Sequence, residues 1–221
     1  AVAALVVVGF RHRERWAWRG ATASLLLWFA IESTLSAVHG AWFNIYLIDL
    51  MPLVSVGTLL ILARGELDVV EAAPAIPREQ AFWHHWLFSA CVAFTLFGLV
   101  SATSSHTALF GFYNRALAQR FFASDELPAI AVAFQRFAFV PLGGTIAGQF
   151  VALAYLARYP IRRGERWAID ASIASLLAWF IVDSSVTAYH RAWFNLLMVN
   201  LPTLLVMLPP LLVLRQTGRA A

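Results

Sequence analysis

Long apolar runs alternate with short polar segments along almost the whole chain. Six runs of about 23 residues occupy positions 16–38, 41–63, 82–104, 137–159, 167–189 and 192–214. A helix crosses the hydrocarbon core of a bilayer with about 20 apolar residues, so each run predicts one transmembrane helix. A seventh run, at 1–10, is too short to cross alone and is interpreted as the end of a truncated span.

The pattern of residues 14–50 returns 151 positions later as residues 165–201, and 18 of the 37 aligned positions are identical. The run at 1–10 likewise resembles the end of the span at 137–159. These matches predict an internal duplication with a first three-helix repeat at 1–64, a linker helix with a polar interfacial segment at 65–128, and a second three-helix repeat at 129–221. The predicted fold class is an all-α integral membrane protein with seven transmembrane helices arranged 3+1+3.

The loops predict the orientation of the chain in its membrane. Four crossings separate corresponding helices, so the two repeats are expected to be parallel and related by a pseudo-two-fold axis along the membrane normal. One side collects the arginines at 11, 13, 15, 19, 64, 78, 158, 162, 163, 166, 215 and 219, and the other has those at 115, 120, 191 and 136. Because arginine favours cytoplasmic loops, the amino end is predicted outside and the carboxyl end in the cytoplasm.

Composition agrees with a membrane protein, since 61% of the chain is hydrophobic and only 13% is charged. All 16 basic residues are arginine, which together with the abundant alanine is typical of a GC-rich bacterial genome and predicts the bacterial inner membrane. The isoelectric point of about 9.8 does not indicate nucleic-acid binding, because the arginines lie in short loops where the positive-inside bias explains them. No nucleic-acid partner is therefore predicted. The single cysteine, Cys91, excludes an intrachain disulfide and a cysteine metal cluster.

The duplicated stretch carries a stripe of side chains, Trp28, Glu32, Ser36 and His39, which returns as Trp179, Asp183, Thr187 and His190. Steps of four and seven residues return to nearly the same direction on a helix, so the members of the stripe share one face. An acid falls near the middle of each span, where it is costly unless it is protonated, paired or hydrated. The candidates for a pathway or ligand-binding site are Glu32, His39, Asp183, His190, Trp28, Trp179, Asp49, Asn44, Asn195, Ser36 and Thr187.

Structural roles compete with functional ones at several of these positions. Small hydroxyl residues are ordinary packing residues of membrane helices. Asn44 and Asn195 could satisfy backbone groups at each hairpin or bond to the histidine before them. The acids could form a structural ion pair or a carboxyl–imidazole bond. The partner would come from another helix, because seven residues separate each acid from its own histidine by about 10 Å.

The leading functional hypothesis is a small-solute or ion transporter or channel, with a pathway between the two copies. Glu32 and Asp183 would respond to protons or cations, and Trp28 and Trp179 would line the site. The arrangement is similar to that of the SWEET and PQ-loop proteins, which also carry two parallel three-helix repeats joined by one helix. The similarity is one of architecture only, because the chain has no Pro-Gln dipeptide and shares no residue motif with them.

Two alternatives stay open. The chain could be a cofactor-binding or accessory subunit of a membrane redox or light-harvesting complex, with haem or chlorophyll held by His39 and His190 at equal depth. It could also be an integral-membrane lipid enzyme with Glu32 or Asp183 as the acid and a histidine as the base, although the sequence favours a protein that is not an enzyme and assigns no catalytic residue. No metal is predicted, because the spacing of His39, His190, Glu32 and Asp183 matches no metal-binding signature. The predicted partners are the bilayer, a small molecule or ion, and either further copies of the chain or a larger membrane complex.

Overall fold

The computed structural model of the protein describes residues 14–64 and 76–217, which are almost entirely helical and contain no β-strand. Six long helices are joined by tight hairpins or polar connections, and a short helix, α4, precedes α5. Their bounds are α1 Arg15–Val38, α2 Trp42–Ala63, α3 Arg78–Ser104, α4 Gly111–Phe122, α5 Ala129–Arg158, α6 Arg166–Tyr189 and α7 Trp193–Thr217.

All six long helices have 22 to 30 residues and are apolar enough to cross a membrane. The prediction of an all-helical chain is confirmed for the described residues, and six of the seven predicted spans form helices long and apolar enough to cross a membrane. The seventh predicted span, at 1–10, lies outside the described residues. Two helices begin earlier than their apolar runs do, α3 at Arg78 and α5 at Ala129. In both cases a proline, Pro77 or Pro128, stands at the N-cap, where its missing N–H costs no helical hydrogen bond.

Successive long helices run in opposite directions between two ends of the bundle. At the end that gathers most of the arginines, Trp18 of α1 donates to the Leu60 carbonyl of α2, and Arg215 of α7 pairs with Asp170 of α6. At the other end, Gln135 of α5 reaches the Ser105 carbonyl just after α3. As a result α1 and α6 point in the same direction, and so do α2 and α7.

Both hairpins close with the same backbone motif at this second end. Behind α1, Gly40 adopts the left-handed conformation at φ 68° and the Ala41 N–H reaches back to the Ser36 carbonyl at 2.8 Å. Behind α6, Arg191 has φ 53° and the Ala192 N–H bonds to the Thr187 carbonyl at 2.9 Å. This is a Schellman motif, which usually has glycine at the left-handed position.

The second helix of each hairpin contains a π-helical segment near its start, Ile45–Asp49 in α2 and Leu196–Asn200 in α7. A proline follows both segments, at Pro52 and Pro202. Proline has no N–H and its ring crowds the carbonyl four residues earlier, which lies inside the π segment in both cases. The extra residue in this turn therefore accommodates the proline, and it sets the direction of the polar side chain that ends each segment.

The centre of the bundle is α5, which packs against both α1 and α3. At its crossing with α3, a Cβ atom on Gly98 would lie 2.7 Å from the Ala147 nitrogen. At its crossing with α1, a Cβ atom on Gly148 would lie 3.1 Å from the Ser24 carbonyl oxygen, and Gly144 faces Trp28 and Glu32. Small residues let membrane helices approach this closely.

Candidate functional site

The first half of the chain contains an enclosed group of polar side chains, here called the first polar cluster: Glu32, Ser33, Ser36, Asn44 and Asp49. The Asn44 amide nitrogen lies 3.2 Å from Glu32 Oε1, 3.0 Å from Ser36 Oγ and 3.3 Å from Asp49 Oδ1. The Ser33 hydroxyl donates to Asp49 Oδ2 at 2.8 Å. One amide and one hydroxyl from α1 and α2 thus hold two carboxyl groups together.

This cluster is short of hydrogen-bond donors and of positive charge. Glu32 is 2% exposed and Asp49 is fully buried. The Asn44 amide has two hydrogens for three neighbouring oxygens. The Trp28 ring lies beside the Glu32 carboxyl group, but no donor reaches Glu32 Oε2 with hydrogen-bond geometry. In residues 14–64 and 76–217, no arginine or histidine forms an ion pair with either acid.

Two buried carboxylates without a cation are expensive inside a membrane, because both are removed from water and they repel each other. The cluster is therefore suited to hold a proton or a small cation. It is also shut off from its surroundings, since Gly144 of α5 lies directly over Glu32: a Cβ atom there would be 3.7 Å from the Glu32 Cβ.

The second half contains a matching group, here called the second polar cluster: Asp183, Ser184, Thr187, Asn195 and Asn200. The Asn195 amide nitrogen donates to Asp183 Oδ2 at 3.1 Å and to Thr187 Oγ1 at 3.0 Å. These bonds repeat those of Asn44 with Glu32 and Ser36. In both hairpins, therefore, an asparagine of the second helix bridges to an acid and a hydroxyl of the first helix.

The two clusters differ in charge at one pair of positions. Where the first has Asp49 accepting from Ser33, the second has Asn200 donating to Ser184 at 3.1 Å. The inter-helix hydrogen bond persists, but its donor and acceptor are exchanged. The first cluster therefore contains two acids and the second contains one.

The second cluster also differs in its surroundings, because it borders a cavity of about 640 Å³. The first turn of α6 is packed in the core through Ala168 and Ile169, whereas Trp179 and Asp183 farther along the helix line the cavity. The opposite walls come from α3, α5 and α7. Trp28 and Glu32 of α1 thus pack against α5, whereas the residues at the matching positions of α6, Trp179 and Asp183, line an open space.

Most of the cavity wall is apolar. Eight aromatic side chains contribute to it. The polar groups come mainly from α5, α6 and α7 and include Gln149, Ser172, Asn195, Asn200 and Thr203. Among the described residues that line the cavity, Asp183 is the one acidic or basic residue. A space of this size and lining is typical of a site for a small organic molecule.

The short helix α4 covers the end of this cavity that lies beside the second hairpin. Its Tyr113 donates a hydrogen bond to Asn195 Oδ1 at 3.1 Å and packs edge-on against Phe194. Burial and the negative charge of Asp183 raise the pKa of Tyr113 to about 12, so its hydroxyl keeps the proton that it donates at neutral pH. Tyr113 and Asn195 thereby connect the covering helix to the acid.

The two histidines of the stripe lie apart from the acids, at the exposed ends of α1 and α6. His190 packs edge-on against Tyr189, and its carbonyl accepts from Arg120 of α4. Partial burial and the charges of Arg136 and His39 lower the pKa of His106, which lies just after α3. In the part of the chain that the structure describes, no three side chains of histidine, cysteine or acid type gather as metal ligands.

Of the predicted site residues, the structure places Glu32, Ser36, Asn44 and Asp49 in the first polar cluster, with Trp28 beside it. It places Asp183, Thr187 and Asn195 in the second polar cluster, and Trp179 in the cavity wall. It does not bring either histidine into contact with an acid. Sequence reasoning missed the role of the two asparagines as bridges from helix to helix, and it missed Tyr113. The spacing of Gly144 and Gly148, a small-xxx-small pattern, could have identified the α1–α5 contact.

No protein-family model, curated protein or solved structure matches this chain.

Proposed function

We propose that this chain is a multi-pass membrane transporter for a small solute, with the solute bound in the cavity beside Asp183. One observation carries the proposal. The same arrangement of acid, hydroxyl and asparagine occurs twice. In the first polar cluster it is enclosed and includes a second acid, and in the second polar cluster it borders a cavity of about 640 Å³. A protein that only needed rigidity would gain nothing from a carboxyl group left beside an open space at that depth.

In this proposal the first polar cluster responds to protons or cations and supplies the coupling. Glu32 and Asp49 share the Asn44 amide, and a bound proton or cation would relieve their repulsion. Both α1 and α3, which lines the cavity, pack on α5. A change in the charge of the first cluster would therefore reach the cavity through one helix.

We further propose that the two halves are parallel three-helix repeats around a pseudo-two-fold axis along the membrane normal. The common direction of α1 and α6, their matching hairpins and the paired π segments all support this arrangement. The arginine-rich end is assigned to the cytoplasm of a bacterial inner membrane, which puts both hairpins outside.

The test is uptake into proteoliposomes under an imposed pH gradient or an imposed sodium gradient, measured for a panel of labelled amines, sugars, amino acids and carboxylates. We expect saturable uptake of one solute class that depends on one gradient. Asp183→Asn should abolish it, and Glu32→Gln should leave binding but remove the effect of the gradient.

Uptake that is unchanged in the double variant Glu32→Gln plus Asp183→Asn would refute the role of the acids. An absorption spectrum of the purified protein tests the competing cofactor hypothesis. A haem or chlorophyll band that disappears in His39→Ala and His190→Ala would replace the transporter proposal with a redox or light-harvesting function.

A further inference from the structure

The cavity beside α6 has a combination of charge and surface that selects one class of ligand. Its only charged wall residue, within the part of the chain that the structure describes, is the acid Asp183. No arginine or histidine among the described residues forms an ion pair with Asp183. Arg120 of α4 donates hydrogen bonds to the carbonyls of His190 and Arg191 at the second hairpin and does not line the cavity.

The neutral part of the wall is rich in aromatic rings. Phe94 and Phe150 stack with their centroids 4.7 Å apart on one side, and Trp179 of α6 lies on the other. Faces of such rings attract a cation within about 6 Å of their centroid, and the attraction grows when the cation loses its water. The wall thus offers an apolar surface that tolerates positive charge.

We infer that the cavity binds an organic monocation with a large apolar body, its positive centre next to Asp183 and its apolar groups against the aromatic wall. This inference rests on the proposed function and names the solute class for the same site. A neutral apolar molecule would leave the Asp183 charge uncompensated in the cavity, and an organic anion would be repelled by it. An inorganic cation would leave the aromatic surface unused.

Tyr113 and Asn195 hold the acid in position for this contact. Asn195 donates to one Asp183 oxygen, Oδ2, and its own oxygen accepts from Tyr113. The second carboxyl oxygen, Oδ1, is left for the ligand. Tyr113 is therefore a positioning residue, and Tyr113→Phe should weaken binding of the cation without weakening binding of a neutral analogue.

The test uses two ions of equal shape and opposite charge, tetraphenylphosphonium and tetraphenylborate. The full chain is placed in lipid nanodiscs, and binding of each labelled ion is measured by equilibrium dialysis against empty nanodiscs of the same lipid. We expect saturable binding of tetraphenylphosphonium and none of tetraphenylborate beyond partition into lipid. Equal binding of both ions, or no saturable binding of the cation, would overturn the inference.

Three variants locate the effect. Asp183→Asn should lower the affinity for tetraphenylphosphonium about tenfold or more, because it removes the attraction between the Asp183 carboxylate and the phosphonium cation in a cavity that holds little water. The matched control on the same helix is Asp170→Asn, whose acid pairs with Arg215 outside the cavity and should change the affinity by less than about twofold. The double variant Asp183→Asn plus Gln149→Arg replaces the negative charge of the wall by a positive one and should reverse the preference in favour of tetraphenylborate.

Failure of this inference and failure of the transporter proposal can be told apart. Selective cation binding without gradient-driven uptake would keep the ligand class and refute transport. Uptake of a different solute class, lost in Asp183→Asn, would keep transport and refute the organic cation.

Discussion

Asn44 and Asn195 each donate hydrogen bonds to an acid and a hydroxyl, but in different surroundings. Substitutions at these two positions can therefore be compared directly. Asn44→Ala should lower the free energy of unfolding by about 2–3 kcal/mol, because it removes the shared donor of two buried acids. Asn195→Ala should cost about 1 kcal/mol or less, because Asp183 borders the cavity, where water can replace the amide. Thermal unfolding in detergent measures both. An equal loss in the two variants would mean that the clusters do not differ in enclosure.

The exchange of Asp49 for Asn200 between the copies suggests a second substitution. Asp49→Asn should reproduce the bond that Asn200 makes with Ser184, with Ser33 as the new acceptor. Because this variant removes one of two adjacent buried acids, it should either raise the free energy of unfolding or lower it by less than about 1 kcal/mol.

The same variant should lose the effect of the driving gradient on uptake, because a single acid no longer needs a proton or cation to relieve repulsion. Gradient-driven uptake and the melting temperature are measured on the same preparation. Asp170→Asn serves as a control at an exposed acid. Coupling that survives Asp49→Asn would place the responsive group elsewhere.

At this scale the sequence could predict which residues matter but not what they contact. The periodicity put Glu32 and Ser36 on one face and the duplication singled out Asn44, yet nothing in a linear pattern says that Asn44 reaches back across the hairpin. That contact depends on the π segment and on the left-handed turn at Gly40. The clearest difference between the copies, enclosure against an open cavity, depends on helices far away in the chain.

Among the helices, the crossing of α3 and α5 is the tightest contact that can be tested by adding one methyl group. Gly98→Ala should destabilise the protein by about 1–3 kcal/mol, because the new Cβ would meet backbone atoms of α5 at 2.7 Å. Gly57→Ala is the control, since a Cβ at Gly57 in α2 meets nothing within 4 Å. Alanine is the better helix former, so Gly57→Ala should be neutral or stabilising by up to about 1 kcal/mol.

Melting temperatures of the two alanine variants in the same detergent provide the comparison. A similar melting temperature for both would show that α3 and α5 can separate at little cost, and α5 could then not transmit a change from the first polar cluster to the cavity.

The helices themselves were largely predictable, because runs of about 23 apolar residues have few alternatives in a membrane. Their arrangement was not. The duplication favours symmetric neighbours for α1 and α6, but α1 packs closely on α5 whereas α6 borders the cavity. The cause lies in Gly144 and Gly148, which lie against α1, while Thr145, Ile146 and Gln149 on another side of α5 face the cavity.

For the whole molecule, the parallel orientation of the two halves is the property on which the proposed pathway depends. His39 and His190 are exposed at the hairpin ends of α1 and α6, and Arg78 is exposed at the start of α3. We expect His39→Cys and His190→Cys to react with a membrane-impermeant maleimide from one side only, and Arg78→Cys from the other. Cys91 is fully buried, so the unaltered chain provides the unlabelled background.

Right-side-out and inside-out vesicles then decide between the arrangements. Labelling of positions 39 and 190 in right-side-out vesicles alone fits parallel repeats with both hairpins outside, as the loop arginines predict. Labelling of these two positions from opposite sides would mean inverted repeats. The two polar clusters would then lie at different depths, and one helix, α5, could not couple them in the way proposed. The topology experiment therefore tests the coupling argument without any knowledge of the solute.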